Sequence, residues 1–138
     1  MKTIIISRNL PGDMAAVWSY LSQPQLLGAW LSQVDSVTVG SNFDLVLGKT
    51  LVKAQVSKLL NSLLLEFSVS NESGKALGLI VLRLKQNAGR VELTIMDDTL
   101  PAATLMDKLF FKTNISKRTS FWHSKLNALE VRLEAAGR

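Results

Sequence analysis

The sequence predicts an α+β domain in which a curved antiparallel sheet of about six or seven strands wraps around a long C-terminal helix. Two observations carry this prediction. Apolar and polar residues alternate with a period of two over 34–96, in runs separated by short turns, and a helical period returns in the last third. The length of 138 residues suits one domain, so 1–138 is interpreted as a single unit.

The composition limits the chemistry that the chain can perform. Apolar residues make up 47% of it and the mean hydropathy is +0.20, so either the core is large or apolar surface is reserved for a ligand or partner. No cysteine is present, which excludes disulfides and thiolate sites and is compatible with a cytoplasmic location. His123 is the single histidine, so we expect no metal site and no cofactor.

The net charge of +5 does not by itself indicate a nucleic-acid partner. The 16 basic residues are scattered along the chain and form no block of five or six, so no nucleic acid is expected as a partner. The longest uncharged apolar runs fall far below the roughly 20 residues of a membrane-spanning helix, and no membrane span is expected.

The N-terminal third predicts one strand and two short helices. Isoleucines favour a strand over 3–8. A helix follows over 13–21, with Asp13 as N-cap and an apolar stripe formed by Met14, Val17, Trp18 and Leu21. Pro24 can open a second short helix over 25–30, because a proline in the first turn loses no needed hydrogen bond.

The middle of the chain predicts an antiparallel meander of six strands joined by short turns. The predicted strands are 34–39, 42–47, 52–57, 63–70, 80–85 and 91–96. Alternation places one face on the core and the other toward water. The water face is expected to carry Lys53, Glu66, Arg83, Lys85 and Glu92.

The last third is predicted to be helical. Pro101 can open a turn that contains Leu105, Leu109 and Phe110, and Thr113 or Asn114 is the expected cap of the longer helix. The apolar stripe of that helix comprises Ile115, Trp122, Leu126, Leu129 and Leu133, and Gly137 lies past its end.

A broad apolar sheet face must be covered, and the long helix is the main cover that the sequence offers. A helix about 10 Å wide cannot cover seven strands spaced about 4.8 Å apart unless the sheet curves around it. Such wrapping leaves space for an apolar ligand, or side chains fill it. The candidate ligand-binding residues are Trp30, Phe43, Val56, Leu65, Phe67, Leu82, Leu93, Ile95, Leu109, Phe111, Trp122 and Leu126.

No catalytic residue is assigned. Asp97 and Asp98 end the last strand, where a turn near a helix start explains them better than acid–base work. His123 lies off the apolar stripe and is expected to face solvent without a catalytic partner.

Several segments together resemble a known family in their order and spacing. They are 17–22 (VWSYLS), 27–31 (LGAWL), 40–45 (GSNFDL) and 121–129 (FWHSKLNAL). The chain thereby resembles the START-like (SRPBCC, Bet v 1-like) helix-grip superfamily, and within it proteins akin to the activator of heat shock protein 90 ATPase. It departs from that pattern at Phe121, where the family often has glycine, and at 64–67, which lacks the family's tryptophan.

The resemblance implies three kinds of function, because the family contains ligand carriers, polyketide cyclase-like enzymes and chaperone regulators. We favour non-catalytic binding of a hydrophobic small molecule such as a lipid, a fatty acid or an aromatic metabolite. The alternatives are a module that modulates a chaperone ATPase, and a polyketide cyclase-like enzyme that uses Asp97, Asp98 or His123. The chain can be a monomer or a homodimer, and Leu64 and Val81 on the outer strand faces are candidates for pairing.

Overall fold

The computed structural model describes residues 3–48, 50–99 and 111–137, with side chains from residue 115 onward in the last segment. In the described part, a six-stranded antiparallel sheet packs against a long helix, as predicted. The elements are β1 Ile4–Leu10, α1 Met14–Ser22, α2 Pro24–Gly28, β2 Asn42–Leu47, β3 Thr50–Leu60, β4 Leu64–Ser70, β5 Ala76–Asn87, β6 Arg90–Asp98 and α3 Phe111–Ala136.

The strands lie in the order β1-β6-β5-β4-β3-β2, so the first strand pairs with the last and the others form a meander. The ladder is interrupted between Val56 and Lys58 on β3 and between Val69 and Ser70 on β4. Bulges of this kind bend a strand and increase its twist, which lets the sheet curve around α3.

The alternation predicted from the sequence is confirmed on both faces. The concave face buries one continuous core that takes residues from all six strands, from α1 and from α3. The predicted water-face residues are exposed or half-buried: Lys53, Glu66, Arg83, Lys85 and Glu92.

The prediction of a strand over 34–39 is wrong, because this segment is an irregular loop. Hydroxyl groups hold it, since the Ser41 side chain bonds the hydroxyls of Ser36 and Thr38 at 2.9 Å each. The Gly40 N–H then donates to the Val56 carbonyl at 2.8 Å. Side-chain bonds to nearby groups offer an alternative to a strand ladder, which the alternation of valines could not reveal.

The two short helices are confirmed. The Asp13 side chain accepts a hydrogen bond from the Ala16 N–H at 2.8 Å, so it caps α1 as predicted. Pro24 opens α2, which ends at Gly28 and so is slightly shorter than expected.

The stripe predicted on the C-terminal helix is confirmed, but the predicted cap is wrong. Trp122, Leu126 and Leu129 are fully buried, and the Gly137 N–H bonds the Leu133 carbonyl at 3.2 Å at the helix end. Thr113 and Asn114 lie inside α3, which already includes Phe111. Polar residues cost only a few tenths of a kcal/mol inside a helix, so a capping preference does not fix where one starts. The turn predicted around Leu105, Leu109 and Phe110 lies outside the described residues.

Leu64 is not available for pairing with another chain, contrary to the prediction, because only 6% of it is exposed. It stands opposite Leu60 on one side and Arg83 on the other, and these long side chains flank it. Val81 is half-buried on the outer face.

Gly78 lets β5 approach the end of β6 closely. Its φ is +147°, and a Cβ there would stand 1.7 Å from the Asp98 carbonyl oxygen.

We predict that Gly78→Ala lowers the free energy of unfolding by more than about 4 kcal/mol, since the contact cannot be relieved without moving backbone. Gly74→Ala is the control, since Gly74 also has positive φ but open space, and we expect it to cost about 1–2 kcal/mol. Urea unfolding measures both, and equal losses would contradict the close approach.

Candidate ligand-binding site

The predicted ligand-binding residues whose side chains are described all belong to the buried core cluster. On the sheet this set comprises Phe43, Val56, Leu65, Phe67, Leu82, Leu93 and Ile95; Trp30 follows α2, and Trp122 and Leu126 lie on α3. The side chains of Leu109 and Phe111 lie outside the described residues. The structure therefore brings the described members together, and their contact with a ligand stays a prediction.

A fully buried carboxylate lies on the concave face near the end of β6. Asp97 pairs with Ile4 on β1 and with Ile80 on β5, and Ile80 in turn pairs with Phe67 on β4. The three apolar neighbours are buried, and Asp97 itself is 0% exposed. The carboxylate is therefore withdrawn from water and must be satisfied by protein groups.

Thr99, Arg118 and Trp122 donate four hydrogen bonds to this carboxylate. We refer to these three residues and Asp97 as the polar cluster. Asp97 Oδ1 accepts from the Thr99 N–H at 3.0 Å and from the Thr99 hydroxyl. Asp97 Oδ2 accepts from Arg118 Nη1 and from Trp122 Nε1, both at 2.8 Å. Arg118 Nη1 also donates to the Thr99 hydroxyl oxygen at 2.6 Å.

The sheet and the helix each position half of the polar cluster. β6 presents Asp97 inward because Val91, Leu93 and Ile95 precede it at intervals of two. On α3, Arg118 lies four residues before Trp122 and therefore on the same helix face. The cluster thus joins the end of β6 to the first half of α3.

Sequence reasoning missed this cluster, although two signals pointed to it. Asp97 continues the inward alternation of β6, whereas the prediction placed it in a turn. Arg118 occupies the gap of seven residues in the apolar stripe between Ile115 and Trp122. A charged residue at a buried position of each element indicates an ion pair between them.

The three groups proposed for acid–base chemistry are not brought into one site. Asp97 faces the concave side, whereas Asp98 is half-buried on the opposite face beside Leu79. His123 is exposed, and Arg8 Nη2 lies 3.1 Å from its Nδ1. The geometry therefore gives none of the three an acid–base partner among the others.

Arg8 links the edge strand β1 to α3 through side-chain hydrogen bonds. Its guanidinium donates to the side chains of Asn127 and Glu130, the latter at 3.3 Å, in addition to its contact with His123. These residues lie on successive turns of the helix. His123, expected to face solvent, does so and also takes part in this contact.

Trp30 has its indole N–H engaged inside the protein. The Nε1 atom donates to the Tyr20 carbonyl at 2.8 Å, and the side chain is 3% exposed. Trp30 thereby fixes the chain after α2 against α1, and it offers an interior site its ring rather than its polar atom.

An open groove at the edge of the sheet beside β2 shares Phe43 with the predicted ligand-binding residues. Its volume is about 680 Å³, and it is lined by Ser32, Gln33, Val34, Asp35, Asn42, Phe43, Asp44, Lys53 and Ala54. Lys53 and Asp44 form an exposed ion pair at 2.7 Å, and the hydrogen bond that Lys53 donates to the Asp44 carboxylate raises the pKa of Lys53. The lining of the groove is mostly polar and solvent-exposed, so it does not suit an apolar ligand.

Neither a metal-binding cluster nor a membrane-spanning helix occurs in residues 3–48, 50–99 and 111–137. Within these ranges no three acidic or histidine side chains lie close enough together to hold a metal ion. No helix there has the length and apolar character needed to cross a membrane.

The polar cluster contains a buried ion pair that we expect to be strongly coupled. Asp97→Leu leaves the Arg118 charge, which is only 12% exposed, without its partner, and should cost about 3–5 kcal/mol of unfolding free energy. Replacing both, with Arg118→Met added, should recover most of that loss because no uncompensated charge remains.

Urea unfolding of the two single variants and the double variant measures the coupling. Asp44→Ala is the control, since it breaks the exposed pair with Lys53 and should cost less than about 1 kcal/mol. Losses that simply add in the double variant would contradict the coupling.

Comparison with known proteins finds similarity in structure but not in sequence. No protein-family model and no curated protein matches the chain. MLL2253 from Mesorhizobium loti is similar with a TM-score of 0.72 at 15% identity, over 99% of both chains. The Aha1 dimer from Colwellia psychrerythraea gives 0.68 at 17% identity, over 95% of this chain and 98% of that one.

DynU16, a protein of the dynemicin biosynthetic locus, gives a TM-score of 0.70 at 18% identity. The match covers 97% of this chain and 48% of DynU16, so this chain spans about half the length of that protein. At these identities the likeness concerns the fold. The chain has the helix-grip fold that the sequence resemblance implied.

Proposed function

We propose that the protein binds a hydrophobic small molecule between the concave face of the sheet and α3. The observation that carries this proposal is the placement of one hydrogen-bonded polar cluster within an otherwise apolar interior. Small-molecule sites commonly have this composition, with apolar walls for affinity and a few fixed polar groups for orientation.

The walls of the proposed site are apolar. Phe67, Ile80 and Leu82 on adjacent strands are fully buried, and Trp122 and Leu126 face them from α3. The rings of Phe43 and Phe67 meet edge to face with centroids 5.4 Å apart, which adds an aromatic pair to the wall near β2 and β4. A lipid chain, a fatty acid or an aromatic metabolite is the chemistry that such walls accommodate.

The fold supports the same proposal by analogy. DynU16, which shares the fold, comes from a biosynthetic locus for a small molecule, dynemicin. A shared fold hosts many functions, so the analogy supports a role in small-molecule chemistry and identifies neither a ligand nor its position.

Apolar ligands should stabilise the protein, with a gain of about 2.7 kcal/mol at a hundredfold excess of ligand over Kd. A thermal-shift screen confirmed by native mass spectrometry measures this. Ile80→Phe should reduce the gain, because the larger ring occupies space beside Asp97. Leu79→Phe makes a similar change on the outer face of the same strand and should leave the gain intact.

Two results would contradict the proposal. One is that no lipid, fatty acid or aromatic compound raises the melting temperature. The other is that Ile80→Phe and Leu79→Phe respond to a ligand in the same way, which would place the binding outside the concave face.

A second candidate function is a module that modulates a chaperone ATPase. The observation that favours it is an apolar outer patch, formed by Ile5, Leu79, Val81 and Met96. Ile5 is opposite Met96, and Met96 is opposite Val81, so the patch is continuous across β1, β6 and β5. Ile5 is 62% exposed and Leu79 is 41% exposed, and the net charge of +5 suits an acidic partner.

The module function predicts that the protein changes the ATPase rate of heat shock protein 90. Ile5→Lys should abolish the change, because it places a charge at the most exposed point of the outer patch. Val131→Lys is the matched control, since Val131 is 64% exposed on α3 and not on the outer patch. An ATPase rate unaffected by the protein would reject this function. Sedimentation analysis of the same proteins tests whether a second copy occupies the outer patch, since the similar Aha1 structure is a dimer.

A further inference from the structure

We infer that the ligand carries an uncharged oxygen acceptor, a carbonyl or hydroxyl group, which Arg118 of the polar cluster binds. This inference rests on the proposed binding of a hydrophobic molecule and adds the chemical class of its polar group. It follows from three observations: the acceptor positions of Asp97 are occupied, Arg118 has donors that the polar cluster does not use, and the two charges neutralise each other.

Asp97 has no capacity left for a ligand. Each of its carboxylate oxygens accepts two hydrogen bonds, Oδ1 from Thr99 and Oδ2 from Arg118 and Trp122. An ionised carboxylate offers about four acceptor positions, and all four are occupied. Its role is to hold the guanidinium and the indole in place rather than to contact a substrate.

Arg118 keeps donors that this arrangement does not use. Both of its described hydrogen bonds leave from Nη1, toward Asp97 and toward Thr99. A guanidinium has five N–H groups, so three of them, on Nη2 and Nε, receive no acceptor from the described residues. The side chain is 12% exposed, whereas Asp97 is completely buried, so Arg118 is the member of the pair that a ligand can reach.

The charge of the pair selects the kind of acceptor. Asp97 already neutralises Arg118, and a buried anionic ligand would add a negative charge with no second cation in the polar cluster. Removing an uncompensated charge from water is unfavourable. A neutral oxygen accepts from the same donors without changing the net charge, and a rigid, planar guanidinium is suited to hold it.

The preferred ligand is therefore an apolar molecule with a ketone, ester or hydroxyl oxygen near one end. Naphthalene, 1-acetonaphthone and 1-naphthoate form a probe series that shares the ring system and differs in this group. We expect isothermal titration calorimetry of the wild-type protein to show 1-acetonaphthone binding about tenfold tighter than the other two, since a hydrogen bond from a charged donor contributes about that much.

Arg118→Lys tests the donor directly. Lysine retains the positive charge beside Asp97 but loses the planar fork of donors, so the affinity for 1-acetonaphthone should fall to that for naphthalene. The affinity for naphthalene should stay within about twofold, given that apolar walls alone hold it. A purely structural role for Arg118 would instead weaken all three probes alike. Arg83→Lys on the water face is the matched control and should change nothing.

The outcomes separate this inference from the function on which it rests. If 1-naphthoate binds as tightly as the ketone, or all three probes bind equally, the inference is overturned and hydrophobic binding stands. If none of the three binds, the inference is overturned, and the thermal-shift screen of lipids and fatty acids decides whether hydrophobic binding stands. The wild-type series alone decides among these outcomes even if the Arg118→Lys protein does not fold.

Discussion

The contact between the apolar stripe of α3 and the concave face of the sheet is the interaction on which the rest of the structure depends. Trp122, Leu126 and Leu129 lose all their exposure in it, and all six strands contribute to the same core. Burial of apolar area is the largest favourable term in folding, so a change that separates α3 from the sheet would remove most of the stability. The curvature of the sheet exists because one helix must meet several strands at once.

Hydrogen bonds and ion pairs fix the position of the helix within that contact. Apolar packing is not directional and tolerates small slides of one surface on another. The polar cluster joins α3 to the end of β6, and Arg8 joins a later part of α3 to β1. Two attachment points along one helix determine its direction as well as its height above the sheet.

The polar cluster is a costly feature for a purely structural element. An apolar pair of similar size would often stabilise a core as well or better, because a buried ion pair must first be removed from water. Its presence in an otherwise apolar core, near the end of β6, is therefore more informative about binding than the surrounding leucines are. The open groove beside β2 has an exposed polar lining and no comparable buried polar group among its lining residues.

Much of the architecture could be predicted from the sequence because it depends on local periodicity. The strands from β2 to β6, the stripe on α3 and the Asp13 cap all follow from patterns of two or of three to four residues. The loop at 34–39 could not be predicted, because its valines alternate like a strand while hydroxyl bonds from Ser36 and Thr38 hold it irregular. The burial of Leu64 also escaped prediction, since it depends on the neighbours that the sheet register supplies.

The sequence by itself determined the fold class, the faces of the strands and the apolar character of the interior. Only the tertiary structure decided that Asp97 and Arg118 meet, that Trp122 joins them, and that Asp98 and His123 lie apart from them. The reason is physical: periodicity is a property of neighbours along the chain, whereas Asp97 and Arg118 are 21 residues apart. Their pairing depends on how β6 and α3 pack, which no local pattern encodes.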